Sequence, residues 1–171
     1  FSFVEAKVKQ AEKVQPQLKR AKLSAALDQA VKRKKLLLGY EALLRRDPNS
    51  SKTGRLLISA FENWETILSD TVETKSTATL AARLCAISMY LSWCKGSLDG
   101  CWPPTEESSY RYMSDCHRVG RPGSRAKSYL EASNFIIAVF GFSNYIDDSS
   151  RLSGSALKQM AKLGLRKQAL A

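Results

Sequence analysis

Apolar residues in this chain recur at intervals of three and four, and no stretch of useful length alternates between apolar and polar. A spacing near 3.6 puts side chains on one helix face, whereas a half-buried strand needs a period of two. The chain is therefore expected to be all-α: several short helices around one core, preceded by an N-terminal helical arm. At 171 residues it fits one domain with such an arm, and it is long enough to bury most of its apolar surface without staples. Hydrophobic residues make up 44% and charged residues 25%, which excludes a wholly disordered chain.

Residues 1–46 are dominated by Lys, Ala, Leu, Glu and Gln, all strong helix formers. Pro16 is expected to split this stretch into two helices. In the second, Leu23, Ala26, Leu27, Ala30 and Val31 form an apolar stripe, followed by Lys32-Arg33-Lys34-Lys35. Asp47-Pro48-Asn49-Ser50-Ser51 predicts a loop. The domains are accordingly placed at 1–50, a basic helical arm, and 51–171, a helical domain.

Within the second domain a helix is expected from about Thr53 to Ser69, with Leu56, Leu57, Ala60, Phe61, Trp64, Ile67 and Leu68 buried. The next, over 76–95, puts Leu80, Leu84, Ile87, Tyr90, Leu91 and Cys94 on one face, with Arg83 off it. Ser76 or Thr77 caps its start and Gly96 ends it. After Gly100-Cys101-Trp102-Pro103-Pro104, Thr105 caps a helix reaching Val119, with Glu106 and Glu107 set against its positive end. Ser124 is expected to cap a central helix from about Arg125 to Phe140, closed by a left-handed Gly141. A last helix is placed over Ser149 to Leu163.

The charge is uneven. Net charge is +11. Residues 1–50 carry 12 Lys/Arg against 5 Asp/Glu, residues 51–150 carry 10 against 11, and residues 151–171 carry 5 against none. Basic ends on a near-neutral body attract phosphate backbones or other anionic surfaces, although a charge run is also the ordinary composition of a solvated helix face. Lys32–Lys35 also fits a weak nuclear-localisation pattern. The chain begins with Phe1 and not Met, and it is expected to be a fragment or a processed product. No apolar run approaches the roughly 20 residues of a membrane span.

Residues that could carry chemistry are few. The four cysteines, Cys85, Cys94, Cys101 and Cys116, include no C-x-x-C pair, so no metal site is expected. Cys85, in an apolar helical run, is expected to be a small core residue. His117 is the only histidine and adjoins Cys116. Neighbours in the chain do not normally converge as nucleophile and base, so His117 is expected to be a structural or surface histidine. No phosphate-cradling Gly-rich motif and no H-E-x-x-H occurs. Glu106/Glu107 and Asp147/Asp148 sit where capping explains them. The chain is expected to have no catalytic site and no cofactor.

The order of elements from Thr77 to Ala171 resembles the core-binding domain of tyrosine recombinases, the phage-integrase-like family. The resemblance rests on a threonine-entered helix with an arginine one turn in, Thr77-Ala78-Thr79-Leu80-Ala81-Ala82-Arg83, running to Trp93-Cys94. A Pro-rich connector then leads to Pro104-Thr105-Glu106-Glu107. A third helix is entered by Ser124-Arg125-Ala126-Lys127-Ser128, and Arg151-Leu152-Ser153-Gly154-Ser155 trails to Lys167-Gln168-Ala169. Residues 53–69, with Trp64, are similar to the region preceding this domain in some eukaryotic mobile-element relatives. The resemblance implies a SAM-like orthogonal bundle that clamps duplex DNA in DNA recombination. The family's catalytic arginines, histidine motif and tyrosine nucleophile would belong to a domain beginning after Ala171, and His117 does not match that motif. The implied DNA contacts are Thr77, Thr79, Arg83, Ser124, Arg125, Lys127 and Ser128 at helix starts. Lys158, Lys162, Arg166 and Lys167 add sequence-independent attraction. Free amides and hydroxyls at helix starts suit phosphates, and they suit capping equally. Such a module would be intracellular, nuclear or nucleoid-associated.

A second reading stays open: a non-catalytic accessory subunit of a large assembly, docked through residues 1–46. RNA or ribosome binding would use the same charges.

Overall fold

The computed structural model describes residues 3–96 and 101–143; for residues 3–15 and Phe61 it describes the backbone alone. Among the described residues the fold is all-α, with no strand beyond one isolated bridge, Ser51 to Phe142. The helices are α1 (Phe3–Arg45), α2 (Lys52–Ser59), α3 (Trp64–Thr71), α4 (Thr77–Cys94), α5 (Glu106–Arg118) and α6 (Gly123–Phe140), with 3-10 turns at Pro48–Ser50 and Phe61–Asn63. The helix expected over 149–163 lies outside the described residues. The chain divides into two compact units, Phe1–Lys35 and Leu36–Ala171, so the division falls inside α1.

In the first unit α1 runs through Pro16 without a break. This corrects the two-helix expectation. A proline removes one amide and crowds the preceding turn, at a cost of about 3 kcal/mol. The strong helix formers on both sides carry the helix across it. Leu23, Leu27 and Val31, read as a stripe for burial, are exposed.

The core of the second unit begins with the last turns of α1. Leu37, Tyr40, Leu43 and Leu44 are buried there, and the Tyr40 hydroxyl donates to the Leu80 carbonyl of α4 at 2.7 Å. Gly39 permits this approach, since a Cβ there would stand 2.6 Å from Leu84 Cδ2. The single helix expected over 53–69 is two short ones. The break comes at Ala60, whose φ of −129° and ψ of 53° leave the helical region. No Gly or Pro marks it, so packing decides: α2 buries Thr53, Gly54 and Leu57, α3 buries Leu68, and Leu56 is left 53% exposed. Trp64 and Ile67 pack part-buried against the core as expected.

Helix α4 opens as read, with the Ser76 hydroxyl accepting from the Thr79 amide at 3.1 Å. Leu80, Ile87 and Tyr90 are buried on its inner face, and Leu84, Leu91 and Cys94 pack against the core. Cys85 is exposed, which corrects its assignment to the core. It lies on the side of α4 away from the buried face, beside exposed Met89. Gly96 follows the helix without a positive φ.

Helix α5 starts with a reciprocal cap. Thr105 Oγ1 accepts from the Ser108 amide at 3.1 Å, and Ser108 Oγ accepts from the Thr105 amide at 2.9 Å. It ends on Gly120 at φ 77°, where the Arg121 amide reaches back to the Cys116 carbonyl at 2.8 Å. Helix α6 buries Tyr129, Ala132, Ser133, Ile136 and Phe140 and closes on left-handed Gly141, as its pattern predicts. Beyond Gly141, Lys52 and Ser143 exchange backbone bonds of 3.1 and 3.0 Å with Gly141 and Ser50, tying the end of α6 to the start of α2.

Tyrosines hold α4, α5 and α6 together. The Tyr90–Tyr129 ring centroids lie 5.0 Å apart, Tyr112–Tyr129 4.9 Å and Tyr90–Tyr112 5.4 Å. The Tyr129 hydroxyl meets that of Ser109 at 2.6 Å, and the Tyr90 hydroxyl lies 2.7 Å from both the Cys101 carbonyl and Ser108 Oγ. Replacing Tyr129 by Phe strands the buried Ser109 hydroxyl. This substitution is expected to cost about 1–3 kcal/mol, read as a lower urea midpoint with unchanged helical circular dichroism.

Candidate nucleic-acid interface

Helices α4 and α6 pack antiparallel. Arg83, early in α4, pairs with Glu131 in the middle of α6 at 2.7 Å. Ala86 and Met89, later in α4, share a groove with Ser124, Arg125 and Ser128 at the start of α6. The two helix starts proposed to meet phosphates therefore lie at opposite ends of the pair.

The start of α4 is chemically occupied. Ser76 accepts from the Thr79 amide and donates to Thr79 Oγ1 at 2.9 Å, so the Thr79 hydroxyl is part of the cap. Thr77 is half-buried in the first turn. Arg83 spends its charge on Glu131.

The start of α6 is different. Its N-cap is Pro122, which has no side-chain hydrogen-bond group, and no side chain caps the helix. This corrects the assignment of Ser124 as cap. The helix begins two residues earlier than expected, so Ser124 lies inside the first turn with its side chain exposed. The Arg125 amide donates to the Pro122 carbonyl at 2.9 Å. Lys127 and Ser128 are exposed and Arg125 is half-buried. Among the described residues Arg121, Arg125 and Lys127 make no ion pair, whereas Arg118 is 3.1 Å from Asp115.

Beside this helix start two shallow depressions of about 320 and 340 Å³ share Met89, Tyr112 and Arg125. Burial pushes the Tyr112 hydroxyl and the Cys116 thiol upward, and the Arg125 and Arg121 charges partly oppose this in both. Burial also pushes Cys94, hydrogen-bonded with Cys101, up to about 12, which keeps the thiol protonated at neutral pH. No disulfide joins the four cysteines, and His117 is exposed. Among the described residues no group of three or more His, Cys, Asp or Glu gathers to hold a metal, and no helix is long and apolar enough to cross a membrane.

Of the residues nominated from sequence, Ser124, Arg125, Lys127 and Ser128 come together; Thr77 and Thr79 form a separate group, and Arg83 lies between them along α4. Lys158, Lys162, Arg166 and Lys167 lie outside the described residues. Arg121 was missed. It lies before the expected helix start, yet an arginine one residue before a proline N-cap stands at the mouth of the following helix. Comparison with family models, curated proteins and solved structures finds no match for this chain.

Asp115 anchors the rim of this surface. Its carboxylate accepts from Trp93 Nε1 at 2.9 Å and from Arg118 Nη2 at 3.1 Å. The Trp93 bond first, and then Arg118, hold its pKa below the ordinary 3.8. A folded-state pKa below the unfolded one contributes stability that is complete above the ordinary value and is lost as pH falls through the lowered one. Asp115→Asn is expected to flatten the fall in urea midpoint that wild type shows as pH drops below 3.8. An unchanged acid limb would show that the carboxylate makes no such contribution.

Proposed function

We propose that this chain is a DNA-binding module, non-catalytic in itself, that holds duplex DNA at the start of α6. The observation that carries the reading is an uncapped 18-residue helix start surrounded by Arg121, Arg125 and Lys127, three cations without an acidic partner among the described residues. First-turn amides and the helix dipole favour a phosphate there, with Ser124 and Ser128 supplying hydroxyl donors. The net charge of +11 adds long-range attraction.

The start of α4 offers no such contact, because the Ser76 hydroxyl already caps it and engages Thr79. A hold on the backbone at the start of α6 positions the module without reading sequence. It fits the resemblance to the core-binding half of a tyrosine recombinase, in which this half closes on DNA against a catalytic one.

Anisotropy titration on a labelled duplex at two salt concentrations tests the reading. Arg121→Ala, Arg125→Ala and Lys127→Ala are each expected to reduce the slope of log K against log salt by about 0.9. Arg83→Ala, whose charge Glu131 already neutralises, changes it least. Wild-type binding weaker than about 10⁻⁴ M at low salt overturns the proposal.

A further inference from the structure

Leu23, Leu27 and Val31 stand on successive turns of α1 and are 63%, 60% and 55% exposed. Four-residue steps keep three such side chains on one side of a helix. Between residues 16 and 35 the chain carries seven Lys/Arg against one acid, Asp28. Arg20 and Lys34, seven residues before and after Leu27, lie on the same side and close the stripe at both ends. The segment is thus a helix with a short aliphatic ridge between cations.

We propose that residues 16–35 of α1 dock as a helix into an apolar groove with an acidic rim on a partner protein. Charge complementarity selects this occupant. A second copy of the chain would set one strongly basic segment against another, and like charges at close range oppose association. Nucleic acid would satisfy the cations and leave the ridge in water, because a phosphate backbone has no groove for three branched aliphatic side chains. A bilayer surface needs a broad apolar face, commonly with aromatic anchors. Residues 16–35 contain no Trp, Tyr or Phe, and Arg20 and Lys34 bound the ridge at both ends, which leaves it short for acyl chains. A groove lined by flexible apolar side chains and rimmed by carboxylates receives ridge and cations together, with anchors spaced i, i+4 and i+8.

This docking uses a different surface from the DNA reading, and the two fail separately. The probe is calcium-loaded calmodulin, whose methionine-rich groove takes basic amphipathic helices, titrated with the whole chain by calorimetry. Binding at about 10 μM or tighter is expected, with Leu23→Ser, Leu27→Ser and Val31→Ser combined weakening it by roughly tenfold or more. The three side chains are exposed, so the urea midpoint should not move, and DNA anisotropy should match wild type. Absent binding at about 100 μM, or an unaffected triple variant, overturns the proposal. So does a dimer abolished by the triple variant, which would make a second copy the occupant. Binding to phosphatidylserine vesicles that exceeds binding to calmodulin and is lost in the triple variant assigns the ridge to a membrane and equally overturns it.

Discussion

The second unit depends on three tyrosine rings that touch one another and come from three different helices. Tyr90, Tyr112 and Tyr129 bring α4, α5 and α6 to a common point, with centroid separations of 4.9 to 5.4 Å. Aromatic rings bury large apolar areas, but each hydroxyl must find a partner in the interior. Tyr129 finds Ser109, Tyr90 finds Ser108 and the Cys101 carbonyl, and Tyr112 interacts with Cys116. These polar ends are directional where the ring contacts are not. They fix how far along its axis each helix sits, and so fix where the start of α6 emerges beside the end of α5.

That placement explains why α6 opens bare. Helices α4 and α5 each begin on a hydroxyl residue that closes on its own amides, Ser76 and Thr105. Between α5 and α6 only a short turn is available. Left-handed Gly120 reverses the chain, and Pro122, with its ring-restricted φ, enters the next helix. A proline at the cap position fixes the entry direction and leaves the first amides to solvent or to a ligand. The same turn holds Arg121 at the mouth of the helix. Geometry that serves the core therefore leaves an anion-attracting helix end on the surface.

The periodic features of the sequence carried the fold well, and the exceptions have physical causes. Thr105 as a cap, Gly141 as a left-handed stop and the inner face of α4 follow from local chemistry, and the structure has each of them. The break at Ala60 has no local marker, because two short helices there satisfy separate packing partners. Pro16 is a local breaker overruled by its neighbours. Cys85 and Leu23 show the limit of composition: an apolar residue in an apolar run is buried only if its angular position faces the core. Ser124 is the same lesson in polar form. Its type suits a cap, but Pro122 starts the helix two residues sooner and displaces it into the first turn.

Charge totals obscured the candidate interface for a related reason. Residues 51–150 are nearly neutral in sum, with 10 Lys/Arg and 11 Asp/Glu, and this drew attention to the chain's two ends. In the folded unit the neutralisation is local and selective. Glu131 takes Arg83, Glu107 takes Arg111 and Asp115 takes Arg118, each within 3.1 Å. These pairs sit along helix faces, where spacing of three or four residues or an antiparallel neighbour supplies the acid. The turn before α6 and its first residues have no acid within that reach until Glu131, and Glu131 is already engaged. Arg121, Arg125 and Lys127 therefore form a concentrated positive field on an otherwise balanced body. The attraction for a polyanion at that point is set by which cations the fold leaves unmatched, a quantity that net charge does not contain.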